Sequence, residues 1–221
     1  MIIEYILSLN RSGSTKYGEY ITETFNAEGS KTLLLGEVDR SCSLPKKVVN
    51  LSHLFCSCEK KYRDCEVWGD LSDSVDMQEH YQNIIDRAED LGYERVVDSS
   101  KTLSGLQIWS SLDVDINTHF IVRRPWSWAA SRRKHDALKG VNSKSKIWHI
   151  LLRWFPKNVK FWYKLRKEDI KYTIRRMKYW EIKGSYKNHK HIHTGNDNKF
   201  SEDFKAQFNT DKRGYFHNKK Y

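Results

Sequence analysis

Two kinds of hydrophobic pattern alternate along the first part of the chain. Short, nearly continuous apolar runs stand at Ile2–Ser8, Thr32–Leu35, Tyr93–Val97 and Thr118–Val122. Apolar runs of this length predict strands buried on both faces, as in a parallel sheet. Between them, Lys16–Phe25, Met77–Leu91 and Thr102–Leu112 read as helices, the second stopped by Gly92. A further helix, Pro125–Ala137, opens with a proline, which suits a first helical turn. Strand–helix alternation predicts an α/β fold: a single domain with a central parallel β-sheet flanked by helices. Ser41–Asp76 is loop-rich. From Ser143 to about Lys183 the pattern is mostly helical, with a break or fresh start at Pro156, and after Gly184 the chain is polar and irregular. No repeat or linker divides the 221 residues, a length that suits one domain with a good core.

The polar residues that interrupt this pattern gather at strand ends. The first strand runs into Ser8-Leu9-Asn10-Arg11-Ser12-Gly13-Ser14-Thr15 and then a helix. A strand, a Gly/Ser loop and a helix N-terminus can hold a phosphate on backbone N–H groups. The loop is not a Walker A motif, because Ser8 stands at the first glycine and Ser14 at the lysine, and the cation has moved to Arg11. That points away from ATP hydrolysis and toward another phosphate-bearing donor. The strand at Thr118–Val122 runs into Arg123-Arg124-Pro125, with Ser131 two turns into the next helix. Arg123 and Ser131 can converge on a second anion. Two anion sites on two strand ends suggest a nucleotide with phosphates at both ends.

The combination resembles the sulfotransferases that use 3′-phosphoadenosine 5′-phosphosulfate (PAPS), in particular the bacterial carbohydrate-type and tyrosylprotein-type branches. The resemblance covers most of residues 1–138 and returns at 193–216. It implies a P-loop-NTPase-like sulfotransferase fold and transfer of a sulfuryl group to an acceptor hydroxyl, leaving adenosine 3′,5′-bisphosphate. It implies that Ser12, Gly13, Ser14 and Thr15 hold the 5′-phosphate, with Arg11 on the sulfuryl group and the bridging oxygen. Arg123 and Ser131 would hold the 3′-phosphate. Asp98-Ser99-Ser100-Lys101 looks like the family's Asp-Ser-Ser-Lys segment, with Lys101 facing the transferring group. Gly36-Glu37 ends the second strand, and the resemblance makes Glu37 the general base. His193-Thr194-Gly195-Asn196 with Lys199 is similar to the segment that closes over the nucleotide, with Gly195 and Lys199 as contacts. None of these residues requires a metal. The chain departs from the family at Arg124, at Lys199 and in the middle, where Arg166-Lys167-Glu168-Asp169-Ile170 is a faint echo of an Arg-Tyr-Glu-Asp-Leu segment. On this basis the chain divides into a nucleotide-binding core (1–138), a basic helical segment (143–183) and a closing segment (184–221).

Charge adds a second theme. The net charge is +11, which favours anionic partners. Lys144–Lys183 holds 13 Lys/Arg against Glu168, Asp169 and Glu181, interleaved with aromatic residues. The segment suits an acidic acceptor, such as an anionic glycan or peptide. It also suits a rival function, a nucleic-acid or anionic-surface binding module without catalysis. A P-loop kinase is a second rival, and it lacks its lysine. Nucleic acid is not the expected partner of the preferred reading. Cys42, Cys56, Cys58 and Cys65 are too few for a disulfide-dense secreted domain, and their spacing lacks the two clean pairs of a zinc site, so a structural loop is expected there. No signal peptide opens the chain, and no run reaches the roughly 20 apolar residues of a spanning helix. A cytoplasmic location is the expectation.

Overall fold

In the structure, a computed structural model, residues 1–39, 64–69, 76–138, 140 and 145–176 are described. Five strands, β1 (Ile2–Ser8), β2 (Thr32–Gly36), β3 (Arg95–Asp98), β4 (Asp115–Val122) and β5 (Tyr172–Arg176), form one sheet in the order β2-β3-β1-β4-β5, parallel throughout. Every one of β1–β4 lies where the apolar runs place it. The helices are α1 (Ser14–Ala27), α2 (Met77–Asp90), α3 (Leu103–Ser110) and α4 (Pro125–Leu138). One further helix follows without interruption as α5 (Lys146–His149), a π turn (Ile150–Trp154) and α6 (Phe155–Lys167). The α/β single-domain expectation holds.

The expectation of a mostly helical 143–183 is corrected toward its end, among the described residues. Helix runs only to Lys167, and Tyr172–Arg176 adds the edge strand β5 beside β4. The chain reverses at Asp169, which takes a left-handed backbone with φ 49°. Tyr172, Thr173 and Ile174 are aromatic or β-branched, the residues that fit a pleated surface. As an exposed edge, β5 is half-buried at Tyr172 and exposed elsewhere, so no apolar run announces it. Of the break or fresh start expected at Pro156, the structure has the fresh start, within a helix that continues through it. It falls at the start of α6, and the turn before it widens to π geometry, where the missing proline N–H is accommodated.

The two sheet faces are covered unequally. The odd residues of β1, Ile3, Tyr5 and Leu7, pack with Leu33, Leu35, Val96 and Phe120 against α2, α3 and α6. Ile6, Leu34, Val97 and Ile121 point the other way and meet Tyr17 and Ile21 of α1. Gly18 lets α1 approach closely: a Cβ there would lie 3.2 Å from Leu34 and 3.3 Å from Ile6. Cys65, Val67 and Trp68 are buried in the larger core, so the one described cysteine serves packing, while Cys42, Cys56 and Cys58 lie outside the described residues. Glu4, inside β1, is 1% exposed and accepts hydrogen bonds from Arg95 at 2.6 Å and Asn117 at 3.0 Å. Its buried charge is therefore paired.

Candidate active site at the strand ends

Because the sheet is parallel, the residues that follow β1, β2, β3 and β4 all emerge along one edge. The connection from β1 passes through α1 to β2, while that from β3 passes through α3 to β4 on the other side of β1. Right-handed crossovers in opposite directions put α1 and α3 on opposite faces, which opens a crevice at the end of β1. Of the segments singled out from sequence, those among the described residues meet here.

In the first loop, Arg11 (φ 75°) and Gly13 (φ 92°) are left-handed, and Ser12 N–H donates to the Leu9 carbonyl at 3.0 Å. Ser12 and Ser14 are buried, Gly13 and Thr15 half-buried, and Arg11 exposed. Gly13 is the N-cap of α1, and it brings no side chain to cap the first turn. By contrast, α2 and α3 are capped by Asp76 and Thr102, which accept from their first-turn N–H groups. The left-handed glycine leaves the α1 N-terminus, with its positive dipole end, facing the loop opening.

The end of β3 is tied to the end of β2. Ser99 N–H donates to the Gly36 carbonyl at 2.6 Å, and the Lys101 ammonium is hydrogen-bonded to the Glu37 carboxylate. Two of the three residues expected to be catalytic are thus an ion pair, Lys101 buried and Glu37 about a quarter exposed. Lys101 holds a left-handed backbone (φ 71°) and Gly36 another (φ 80°). Two of the three described non-glycine residues with positive φ, Arg11 and Lys101, therefore stand on this edge. Strain of this kind persists only where the surroundings enforce it.

The enforcing groups lie just beneath. Asp98 is fully buried and accepts from Ser100 N–H (2.7 Å), Ser100 Oγ (2.5 Å) and Trp109 Nε1 (2.8 Å). Burial pushes its carboxyl up to about 7, against the pull of those hydrogen bonds. Asp39 accepts from Tyr81 OH at 2.7 Å and from the Thr102 hydroxyl, and its N–H donates to Ser100 Oγ at 3.0 Å. Tyr5 OH donates to the Thr102 carbonyl at 2.6 Å. A Cβ on Gly105 would lie 2.5 Å from Asp39 Oδ1 and 2.9 Å from both tyrosine hydroxyls, so only glycine lets α3 approach this network. Asp98 is enclosed by its donors, and its role here is to set the turn that carries Lys101.

Arg123 joins the fourth strand end to the first. Its Nη1 donates to the Arg11 carbonyl at 2.9 Å and its Nε to Ser127 Oγ at 3.1 Å. Ser131 lies one turn further along α4, half-buried. Two tryptophans brace the junction: Trp128 Nε1 donates to the Asn10 carbonyl (2.8 Å) and Trp154 Nε1 to the Arg123 carbonyl (3.0 Å). The parallel register brings Arg175 beside Ile121 and Arg176 beside Val122, so β5 delivers two exposed arginines to the same edge.

Sequence reasoning thus placed Arg11–Thr15, Glu37, Lys101 and Arg123 on one edge, and the structure brings them there. It missed Asp39, Tyr5, Tyr81 and Trp109, which support the Lys101 turn, and Ser127, which orients Arg123. Asp39, two residues after Glu37, was the one legible clue. Gly195 and Lys199 lie outside the described residues. Among the described residues, no group of three His, Cys, Asp or Glu side chains could hold a metal ion, and no helix is long and apolar enough to cross a membrane. No protein-family model matches this sequence, and no curated protein matches it closely enough to indicate a relationship.

Proposed function

We propose that the protein is a sulfotransferase that moves the sulfuryl group of PAPS to an acceptor hydroxyl. The observation that carries this reading is the Lys101–Glu37 ion pair standing at the same strand-end edge as the Arg123–Arg11 link. A cation and a carboxylate for the transferring group lie together, and a second cation is fixed against the phosphate-type loop.

The residues fit the donor. Gly13 leaves the α1 N-terminus without a side-chain cap, which suits a 5′-phosphate. Arg123 is oriented by Ser127 and suits a 3′-phosphate at the neighbouring strand end, with Ser131 further along the same helix. PAPS, when bound, supplies the sulfuryl group and a stable bisphosphate leaving group. The acceptor oxygen attacks sulfur in line, the new S–O bond forms as the bond to the bridging phosphate oxygen breaks, and that electron pair leaves with adenosine 3′,5′-bisphosphate. Glu37 takes the acceptor proton. Lys101 holds Glu37 in position, and its positive charge, with that of Arg11, stabilises the sulfuryl oxygens and the departing phosphate. The chemistry is positioning and charge stabilisation. Arg175 and Arg176, exposed on the edge, suit recruitment of an acidic acceptor such as an anionic glycan or peptide.

The test is incubation with PAPS and a panel of hydroxyl acceptors, read by mass spectrometry. Appearance of a singly sulfated product together with adenosine 3′,5′-bisphosphate is expected. PAPS that remains intact with every acceptor class, carbohydrate, tyrosine peptide, lipid and small alcohol, counts against the reading.

A further inference from the structure

The helix from Lys146 to Lys167 has an outer face that no other described residue covers. Its inner face is occupied: His149, Asn158 and Leu165 are buried, and Ile150, Trp154 and Phe161 pack on Leu9, Trp128 and Ala129. On the outside, Ile147, Leu151, Phe155, Val159 and Tyr163 recur at every fourth position and are 44–61% exposed. In an unbroken α-helix a four-residue spacing drifts around the axis. The π turn at Ile150–Trp154 has more residues per turn and counters that drift, so the apolar side chains form a row. Leu152, 60% exposed, widens it. Single exposed apolar residues are ordinary on a protein surface, whereas a contiguous row marks an interaction site.

The flanks of the row decide the partner. Between Lys146 and Lys167 there are seven Lys/Arg and no Asp or Glu. Arg153 and Arg166 lie over the Trp148 and Trp162 rings at 5.0 and 4.7 Å, so their stems extend the apolar strip while their charges reach its border. A second copy of this face would bring like charges together without a single carboxylate inside the helix to pair them. A nucleic acid would use the cations and leave Ile147, Leu151 and Val159 without a role. An anionic bilayer uses both: acyl chains for the row, headgroups for the cations, and the interface for Trp162 and Tyr163.

We propose that this helix is a membrane-surface anchor, lying flat on anionic lipid with its apolar row in the headgroup–acyl boundary. The proposal does not depend on the chemistry of the strand-end site. It does set that site's position, because Trp154 is hydrogen-bonded to Arg123 and the helix is fixed to the edge where Arg123 stands.

The experiment uses the full chain and sedimented vesicles of phosphatidylcholine, with and without about one-third phosphatidylglycerol. Binding to the mixed vesicles is expected, with tryptophan quenching by brominated acyl chains and release as salt rises. Leu151→Ser/Phe155→Ser should weaken vesicle binding by roughly tenfold or more, since two large apolar side chains leave the boundary. Lys157→Glu/Lys160→Glu should weaken binding to the mixed vesicles by roughly tenfold or more and leave phosphatidylcholine binding little changed. All four side chains are exposed, and circular dichroism confirms that each variant folds. Absence of wild-type binding to mixed vesicles overturns the proposal, as does binding that Leu151→Ser/Phe155→Ser leaves intact. So does a dimer that the same variant disperses, which would make the row an interface between copies. Single-stranded RNA binding lost with Lys157→Glu/Lys160→Glu, beside unaffected vesicle binding, overturns it as well.

Discussion

The strand-end edge and the Lys146–Lys167 helix invert the usual order of a globular protein in opposite ways. At the edge, polar side chains are buried: Ser12, Ser14, Asp98, Ser99, Ser100 and Lys101 are each no more than 8% exposed. Along the helix, Leu151, Leu152 and Phe155 face outward at about 60% exposure. Buried polar groups are costly unless paired, and Asp98, Ser100 and Lys101 are paired by a network that fixes two left-handed backbones. Exposed apolar groups cost nothing in pairing, and they lose the burial that would otherwise stabilise the fold. The first region is rigid and precise, suited to a small charged ligand. The second is a broad surface, suited to an extended one. Each breaks a rule of folding, and each does so in the way its proposed partner would require.

Removing the carboxylate is the sharpest way to break the first half of that contrast. Glu37→Gln is expected to retain PAPS binding and to lose turnover by roughly 10²–10⁴-fold, the usual contribution of a general base. Wild-type turnover in this variant would show that the Lys101–Glu37 pair is structural only. Lys101 offers a second cut, because its ammonium and its backbone can be separated. Lys101→Ala and Lys101→Gly both remove the charge, and each should lose about 10²–10³-fold in turnover. Glycine adopts φ 71° without strain, so Lys101→Gly should melt above Lys101→Ala by about 1 kcal/mol of stability. Equal melting of the two variants would remove the claim that backbone strain is held at this turn.

The sequence made the site legible where its residues are tied to strand ends. Gly36-Glu37, Asp98–Lys101 and Arg123 could be placed because apolar runs fix β2, β3 and β4, and a parallel sheet sends all their ends the same way. The supporting shell was not legible. Tyr5, Tyr81 and Trp109 read as core aromatics, and only the hydrogen bonds of their polar atoms to Thr102, Asp39 and Asp98 show a further role. Strand β5 was hidden for a different reason: an exposed edge strand needs no apolar run, and its arginines merged with the basic helix before it. That merger concealed two distinct parts, an apolar-rowed helix and a strand that carries Arg175 and Arg176 to the edge.

Smaller effects sharpen the comparison. Arg123→Gln removes a charge-assisted contact worth roughly 1.5–3 kcal/mol, so adenosine 3′,5′-bisphosphate should bind about 10- to 100-fold more weakly while AMP changes little. Calorimetry reads both ligands, and a parallel loss for the two would move Arg123 away from the 3′-phosphate. Arg175→Glu/Arg176→Glu should raise the acceptor KM several-fold at low ionic strength with PAPS affinity unchanged. Steady-state kinetics across a salt series should show that difference shrink as charges are screened over about 10 Å at 0.1 M. An unchanged KM at low salt would leave the two arginines as solvated edge residues.

The central claim is that the strand-end edge holds a nucleotide phosphorylated at both ends. Isothermal calorimetry of the wild-type chain with adenosine 3′,5′-bisphosphate and with AMP tests it most directly. The account predicts at least about tenfold tighter binding of the bisphosphate, without a requirement for Mg²⁺, because Arg123 meets only the ligand that carries a 3′-phosphate. Equal affinities for the two ligands, or no heat from either, would contradict it.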